Sequence, residues 1–240
     1  TGYEAALDEA VSRSSKAYDE ARKYYETLLD GCDTDNLPLA IPETSEIGTG
    51  NVSLELSLSQ SDVAKACERL GISANALFNS AFGYALCKLL GKDDTVYSTV
   101  YNGRDDSRKA NSISMYVKTL PVRCTSGEGE SIAEYVRKTD KQFLDSMAND
   151  ISSFADISAA FGIGSDVLFV YQGVIFDPET LCGDKYTISE YRPESTKGAM
   201  VIQVFPTGDT FRISAEFKTE LYSEELMLAI LELIVQTATE

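Results

Sequence analysis

Arg104 stands directly behind Gly103 at the end of an apolar run, Val96 to Tyr101, and is the first residue whose position suggests chemistry. A glycine at such a place lets two backbone segments approach closely. An arginine there commonly forms a bidentate pair with a carboxylate. Tyr97, Tyr101, Tyr116 and Tyr171 bring hydroxyls onto strand-like segments, where core or interface packing accounts for most tyrosines. Asp93-Asp94 and Asp105-Asp106 are paired carboxylates, but both pairs flank strands in polar turns and read as solvated. Gly162-Ile163-Gly164 follows a helix and precedes a strand. A phosphate-cradling loop needs the opposite order, so these read as turn glycines.

What is missing narrows the chemistry further. The 240 residues contain no histidine, which excludes Ser-His-Asp and Cys-His nucleophile systems, histidine-ligated metals and any imidazole base within this chain. The formal net charge is −17. Nucleic-acid binding needs a basic patch, and an anionic membrane surface attracts cations, so neither is expected as a partner. Five cysteines at 32, 67, 87, 124 and 182 are widely spaced and odd in number, with no C-x-x-C. That pattern suggests neither a zinc site nor a disulfide framework. Cys67 and Cys87, among apolar helical residues, read as buried thiols. No stretch approaches the ~20 apolar residues of a membrane span, the first ten residues do not resemble a signal peptide, and a cytoplasmic location is expected.

The elements that must position these residues follow from periodicity. Leu7, Val11, Ser14, Tyr18, Ala21, Tyr25 and Leu28 repeat at 4-3-4-3-4-3 spacing, which predicts one long helix ending near Gly31. The stretch from Cys32 to Gly50 holds Pro38, Pro42, Gly48 and Gly50 and reads as a linker. Val52, Leu54, Leu56 and Leu58 alternate with polar residues, as in a half-buried strand. Ser59 and Ser73 open two helices, the second apolar all round and therefore central. Strands are predicted at Thr95–Tyr101, Ile113–Cys124, Val167–Tyr171, Tyr186–Tyr191, Met200–Phe205 and Phe211–Phe217, the last two joined by a turn at Pro206–Asp209. Helices are predicted at Ser131–Met147, Ser153–Phe161 and Glu224–Gln236. Strands and helices in irregular order, closing on a hairpin, predict an α/β (α+β) two-layer sandwich: a mixed sheet flanked by helices.

Several segments, in order, resemble one family. Gly103-Arg104 followed by Ser114-Met115-Tyr116-Val117-Lys118-Thr119-Leu120-Pro121-Val122-Arg123 is similar to the "GR … GMFVNTLPLR" stretch of condensation domains in non-ribosomal peptide synthetases. Ala21 to Gly31 with Leu37-Pro38-Leu39 resembles their "YWxxxLxG…LPLP" crossover, Asp166 to Gln172 their strand "NPLFQVMFxxQ", and Leu221-Tyr222-Ser223 their final strand-to-helix passage. The resemblance covers the C-terminal half of such a domain. It implies a chloramphenicol acetyltransferase-like half, with residues 1–50 as crossover helix and linker and 51–240 as the C-terminal lobe.

The family's catalytic HHxxxDG motif lies in the other lobe, so the resemblance implies no catalytic residue here and no activity of the isolated chain. It implies amide formation between two acyl groups tethered to carrier proteins through phosphopantetheine arms, with no cofactor or metal bound directly. The expected partners are the N-terminal lobe and a carrier protein. Arg104 matches the arginine that bridges to the motif's aspartate across the lobes. Gly103, Tyr116, Lys118, Thr119, Tyr171 and Gln172 are the expected tunnel wall, and Arg108 and Lys109 a carrier-docking spot. Lys118 departs from the family's usual Asn, and the segment Asp150 to Asp156 keeps little of the family's "HQDYPFE". A face for the other lobe is expected from the Leu7–Leu28 stripe and the Leu226–Val235 helix. The competing reading is a degenerate, non-catalytic condensation-like module that docks a carrier or a partner subunit. A coenzyme-A-dependent acyltransferase of the same fold would need a histidine base that this chain cannot supply.

Overall fold

The alternating run after residue 50 forms strand β1 (Thr49–Glu55), and it pairs with a strand more than 150 residues later in the chain. The computed structural model describes residues 2–42, 46–104, 107–110, 112–173, 196 and 198–239. Six strands make one mixed sheet in the order β1-β6-β5-β4-β2-β3. Besides β1 these are β2 (Asp94–Tyr101), β3 (Lys118–Thr125), β4 (Val167–Tyr171), β5 (Met200–Thr207) and β6 (Thr210–Lys218). The β2–β4 and β4–β5 pairs are parallel and the other three antiparallel. The predicted strand at 186–191 lies outside the described residues.

Helix α4 (Ala74–Leu90) is the centre of the core. Its Ser73 hydroxyl accepts from Ala76 N at 3.1 Å, and Gly91 ends it in the left-handed region at φ 63°. Phe82 stacks on Phe169 of β4 and meets Tyr97 of β2 edge-on, with ring centroids 5.1 and 4.7 Å apart. Around α4 lie α3 (Gln60–Leu70), α6 (Ile132–Ala148) and α8 (Glu224–Thr239). The apolar side of α8, with Met227, Ile230, Leu231 and Ile234, is buried against the sheet and α4. Its stripe is core and not an outward face, because the all-apolar α4 needs a partner on that side.

Neighbouring residues on a strand point to opposite faces. Thus Tyr97 faces α4, while Val96 joins a smaller cluster with Tyr25 and Leu29 of α2 (Lys16–Leu29) and Ile157 of α7 (Phe154–Phe161). The chain after α2 stays on the sheet: Asn36 Nδ2 donates to Val96 O at 2.5 Å, and Ile41 bridges to Tyr222.

Two further expectations need correction. The N-terminal stripe is split into α1 (Gly2–Ser12) and α2 by a break at 13–15. Ser12 Oγ turns back to Asp8 O at 2.7 Å and Ser14 Oγ to Val11 O at 3.0 Å, while Ser15 is extended. A serine run offers the backbone such alternatives to the helical ladder. As a result α2 buries Ala21, Tyr25 and Leu29, whereas Tyr3, Leu7 and Val11 of α1 are exposed. Second, β3 begins at Lys118 and not Ile113. The carbonyls of Ser112 and Ser114 accept from Arg104, so this stretch folds into a loop, and Ile113 and Met115 are exposed. Cys67 and Cys87 are buried as expected. No helix among the described residues is long and apolar enough to cross a membrane.

Candidate functional site

At the end of β2 the chain turns through Asn102, whose Oδ1 accepts from Arg104 N at 3.0 Å. Gly103 has φ 64°, and a Cβ there would lie 2.0 Å from the carbonyl oxygen of Tyr116. The close approach expected of this glycine is therefore real, and it joins the two ends of the β2–β3 connection. Tyr116 is buried, its hydroxyl 3.0 Å from Ser112 Oγ, and the Arg104 guanidinium lies over its ring at 5.1 Å.

Arg104 makes its described contacts within its own loop. It donates to the carbonyls of Lys109, Ser112 (3.1 Å) and Ser114 (2.9 Å), so the loop is folded around the guanidinium. Among the described residues, a bidentate arginine–carboxylate pair is made by Arg123 and Asp94. Arg108, on the short helix α5 (Ser107–Ala110), holds Asp8 of α1 at 2.8 Å, which ties down one of the two expected docking cations. Lys109 contributes its carbonyl to Arg104 and Ser112.

Lys118 opens β3 and ties three elements together. Its Nζ stands 3.1 Å from Glu9 Oε1 of α1 and 3.3 Å from Asp150 Oδ2, and it donates to Asp150 O at 2.9 Å. Tyr116, Lys118 and Thr119 share a cavity of about 300 Å³, closed by Arg13 from the α1–α2 break and by Ser152 and Phe154 at the start of α7. Ser152 is buried, and its Oγ has no hydrogen-bond partner among the described residues. The cavity wall sets two cations, Lys118 and Arg13, beside two carboxylates, Glu9 and Asp150.

Tyr171 and Gln172 do not join it. Tyr171 stacks on Phe78 at 5.8 Å on the α4 side of the sheet, where burial raises its phenol above the usual range. Gln172 extends the β4–β5 pairing, donating its N to Val204 O and its Nε2 to Gln203 Oε1, each at 2.8 Å. The expected wall is thus divided: Gly103, Tyr116, Lys118 and Thr119 come together, and the two β4 residues stand apart. Glu9, Arg13, Asp150 and Ser152 were not singled out from the sequence. The one signal for two of them was that Asp150 and Ser152 fall in a segment aligned with a family motif.

The Condensation domain family model matches residues 6–240. Nonribosomal peptide synthetase 5 of Gibberella zeae is 23% identical over 158 residues, covering 63% of this chain and 1% of that protein. Among solved structures, the SgcC5 protein from Streptomyces globisporus aligns at TM-score 0.80 and 15% identity over 99% of this chain and 58% of its own. The X-domain, solved in complex with OxyB from teicoplanin biosynthesis, aligns at TM-score 0.77 and 15% identity over 98% of this chain and 55% of that one. The chain therefore spans a small part of the curated relative and a little over half of the structural ones, and these structural likenesses show the fold.

Proposed function

The chain belongs to the condensation-domain family of non-ribosomal peptide synthetases, and from that premise we propose that it forms the C-terminal lobe of such a domain. In this reading residues 1–50 are the crossover helix and linker and 51–240 the lobe proper. The reaction joins two carrier-tethered acyl groups. The acceptor's amine attacks the donor's thioester carbonyl, a C–N bond forms, the C–S bond breaks, and the amine proton passes to the departing thiol. The base would be a histidine of the other lobe, since none exists in these 240 residues. Gly103, Tyr116, Lys118 and Thr119 would form part of the tunnel wall that admits the phosphopantetheine arms, with Arg104 beside the lobe junction.

The observation that supports this reading best is a coincidence of sequence and geometry. The segment most like the family, Met115 to Arg123, opens the edge strand β3 and is also the segment that walls the cavity beside Lys118. Tyr3, Leu7, Val11, Ile113 and Met115, all exposed apolar residues on α1 and the β2–β3 loop, suit a face for the second lobe. The test is an amide-forming assay with loaded donor and acceptor carriers. The chain alone should form no amide, and the chain joined to its own upstream lobe should. An upstream sequence without an HHxxxDG motif and a matching lobe would overturn the enzymatic reading.

A second reading, a non-catalytic docking module, is favoured by one observation: the X-domain, of the same fold, is seen in complex with a partner protein. Here Arg108 and Lys109 would meet an acidic carrier, against the handicap of a −17 charge. A pull-down with a phosphopantetheinylated carrier, compared between the wild type and Arg108→Glu/Lys109→Glu, separates specific docking from none.

A further inference from the structure

We propose that the end of the molecule where the linker meets the β6–α8 turn docks a basic amphipathic segment of a partner protein. Three large aliphatic side chains stand out there: Leu39 is 83% exposed, Ile41 50% and Ile47 90%. The backbone that carries them is pinned. Ile41 bridges to Tyr222, whose hydroxyl donates to Pro38 O at 3.4 Å, and both Pro38 and Tyr222 are buried. Thr219 donates its Oγ1 to Glu46 O and its N to Gly48 O, each at 3.1 Å. Leu39, Ile41 and Ile47 therefore gather round one turn, Lys218 to Tyr222, on backbone fastened to the end of the sheet. A clustered apolar patch with a polar rim is the mark of an interaction site, whereas single exposed aliphatics carry no such meaning.

The rim decides the chemistry of the occupant. Glu46 is exposed, as are Glu224 and Glu225 in the first turn of α8. Glu220 is half-buried on the turn, its Oε2 accepting from Gly48 N at 3.4 Å. Within residues 36–42, 46–48 and 218–225 these four glutamates are the only acids and Lys218 is the only cation. Four carboxylates against one ammonium repel an acidic partner and attract lysine or arginine. A second copy of the chain would bring the same acidic rim, and an anionic lipid surface is repelled likewise. The partner that fits sets apolar side chains on the aliphatics and basic ones on the rim. The patch shares no residue with the tunnel wall or the lobe face proposed above, so the two readings stand or fall separately.

Amide NMR of the 240-residue chain with a synthetic leucine–lysine amphipathic helix tests it. Saturable shifts are expected at Leu39, Ile41, Ile47 and Lys218 to Glu225. A peptide of the same composition, scrambled to lose its apolar face, should bind about tenfold more weakly. Leu39→Ser/Ile47→Ser should weaken the amphipathic peptide about tenfold. Glu224→Gln/Glu225→Gln should weaken it about threefold and make binding less sensitive to salt. All four side chains are exposed, and melting curves verify that both variants fold. The proposal falls if no saturable shift appears, if shifts spread over the acidic surface instead of this patch, if the scrambled peptide binds equally, or if either variant binds as the wild type does. A dimer in sedimentation that Leu39→Ser/Ile47→Ser abolishes would give the patch to a second copy and overturn it as well.

Discussion

Asp94 receives both Nε and Nη2 of Arg123, at 2.9 and 2.7 Å, from the facing strand of the β2–β3 pair. The remaining Nη1 reaches the carbonyls of Leu28 (3.0 Å) and Asp30 (2.8 Å) at the C-terminal end of α2. Those carbonyls lack intrahelical partners, so one guanidinium closes the helix end and joins it to the sheet edge. Arg123→Ala should cost about 2 kcal/mol and Arg123→Lys, which keeps the charge but loses the fork, about 1 kcal/mol in urea unfolding. Equal stability of Arg123→Lys and wild type would show that the planar fork is not what secures α2.

Gly103 and Gly129 have similar backbones, φ 64° and 78°, but different surroundings. A Cβ on Gly129 meets nothing within 4 Å, whereas one on Gly103 would strike Tyr116 O at 2.0 Å. Gly129→Ala should therefore cost about 1 kcal/mol, the conformational price alone. Gly103→Ala must also part the two ends of the β2–β3 connection and should cost at least about 2 kcal/mol more. Matched unfolding curves for the two variants check this, with equal losses as the contrary result.

What could be read beforehand was mostly what periodicity and capping decide. The alternation of β1, the capping serines of α3 and α4, the apolar α4 and the β5–β6 hairpin all hold. The ordered motif segments identified the family, and Gly103 was correctly read as a close-approach glycine. Failures came where side chains compete with backbone ladders or where partners are remote. Nothing in the stripe from Leu7 to Leu28 showed that Ser12, Ser14 and Ser15 would break the helix. That the loop after Arg104 would offer it carbonyls was equally illegible. Lys118 meets Asp150 and Glu9, 32 and 109 positions away by their numbering, and no local pattern encodes such a meeting.

The Lys118–Glu9 pair links α1 to the rest of the molecule, as does Asp8–Arg108. No side chain described on α1 is buried, so little apolar packing supports it. Lys118→Met keeps the stem while removing the charge. Hydrogen exchange should then quicken by roughly tenfold in α1 and not in α2, which is anchored by Tyr25 and Leu29. Salt should have a similar, weaker effect on the wild type, because these pairs are partly exposed. Unchanged exchange in α1 would mean that contacts other than the ion pairs hold it.

Cys124 of β3 and Cys87 of α4 are 1% and 3% exposed, and burial pushes their thiols up, to about 11 and about 12 respectively. The surroundings are full: a Cβ on Gly83 would lie 2.0 Å from Cys124 Sγ. An unfolded thiol loses its proton near ~8.5, so above that pH the unfolded chain holds fewer protons than the folded one. Stability is therefore fully present below pH ~8.5 and is lost as pH rises toward the folded values, by up to about 1.4 kcal/mol per unit for each such thiol. Tyr97 and Tyr135, raised by burial as well, add their share only above the ordinary tyrosine value of ~10. The interval between pH ~8.5 and ~10 thus isolates the thiols. Urea midpoints measured there under reducing conditions should fall with pH in the wild type and fall less steeply in Cys124→Ala, whatever that variant's stability at pH 7. Parallel slopes would assign the alkaline loss to groups other than these buried thiols.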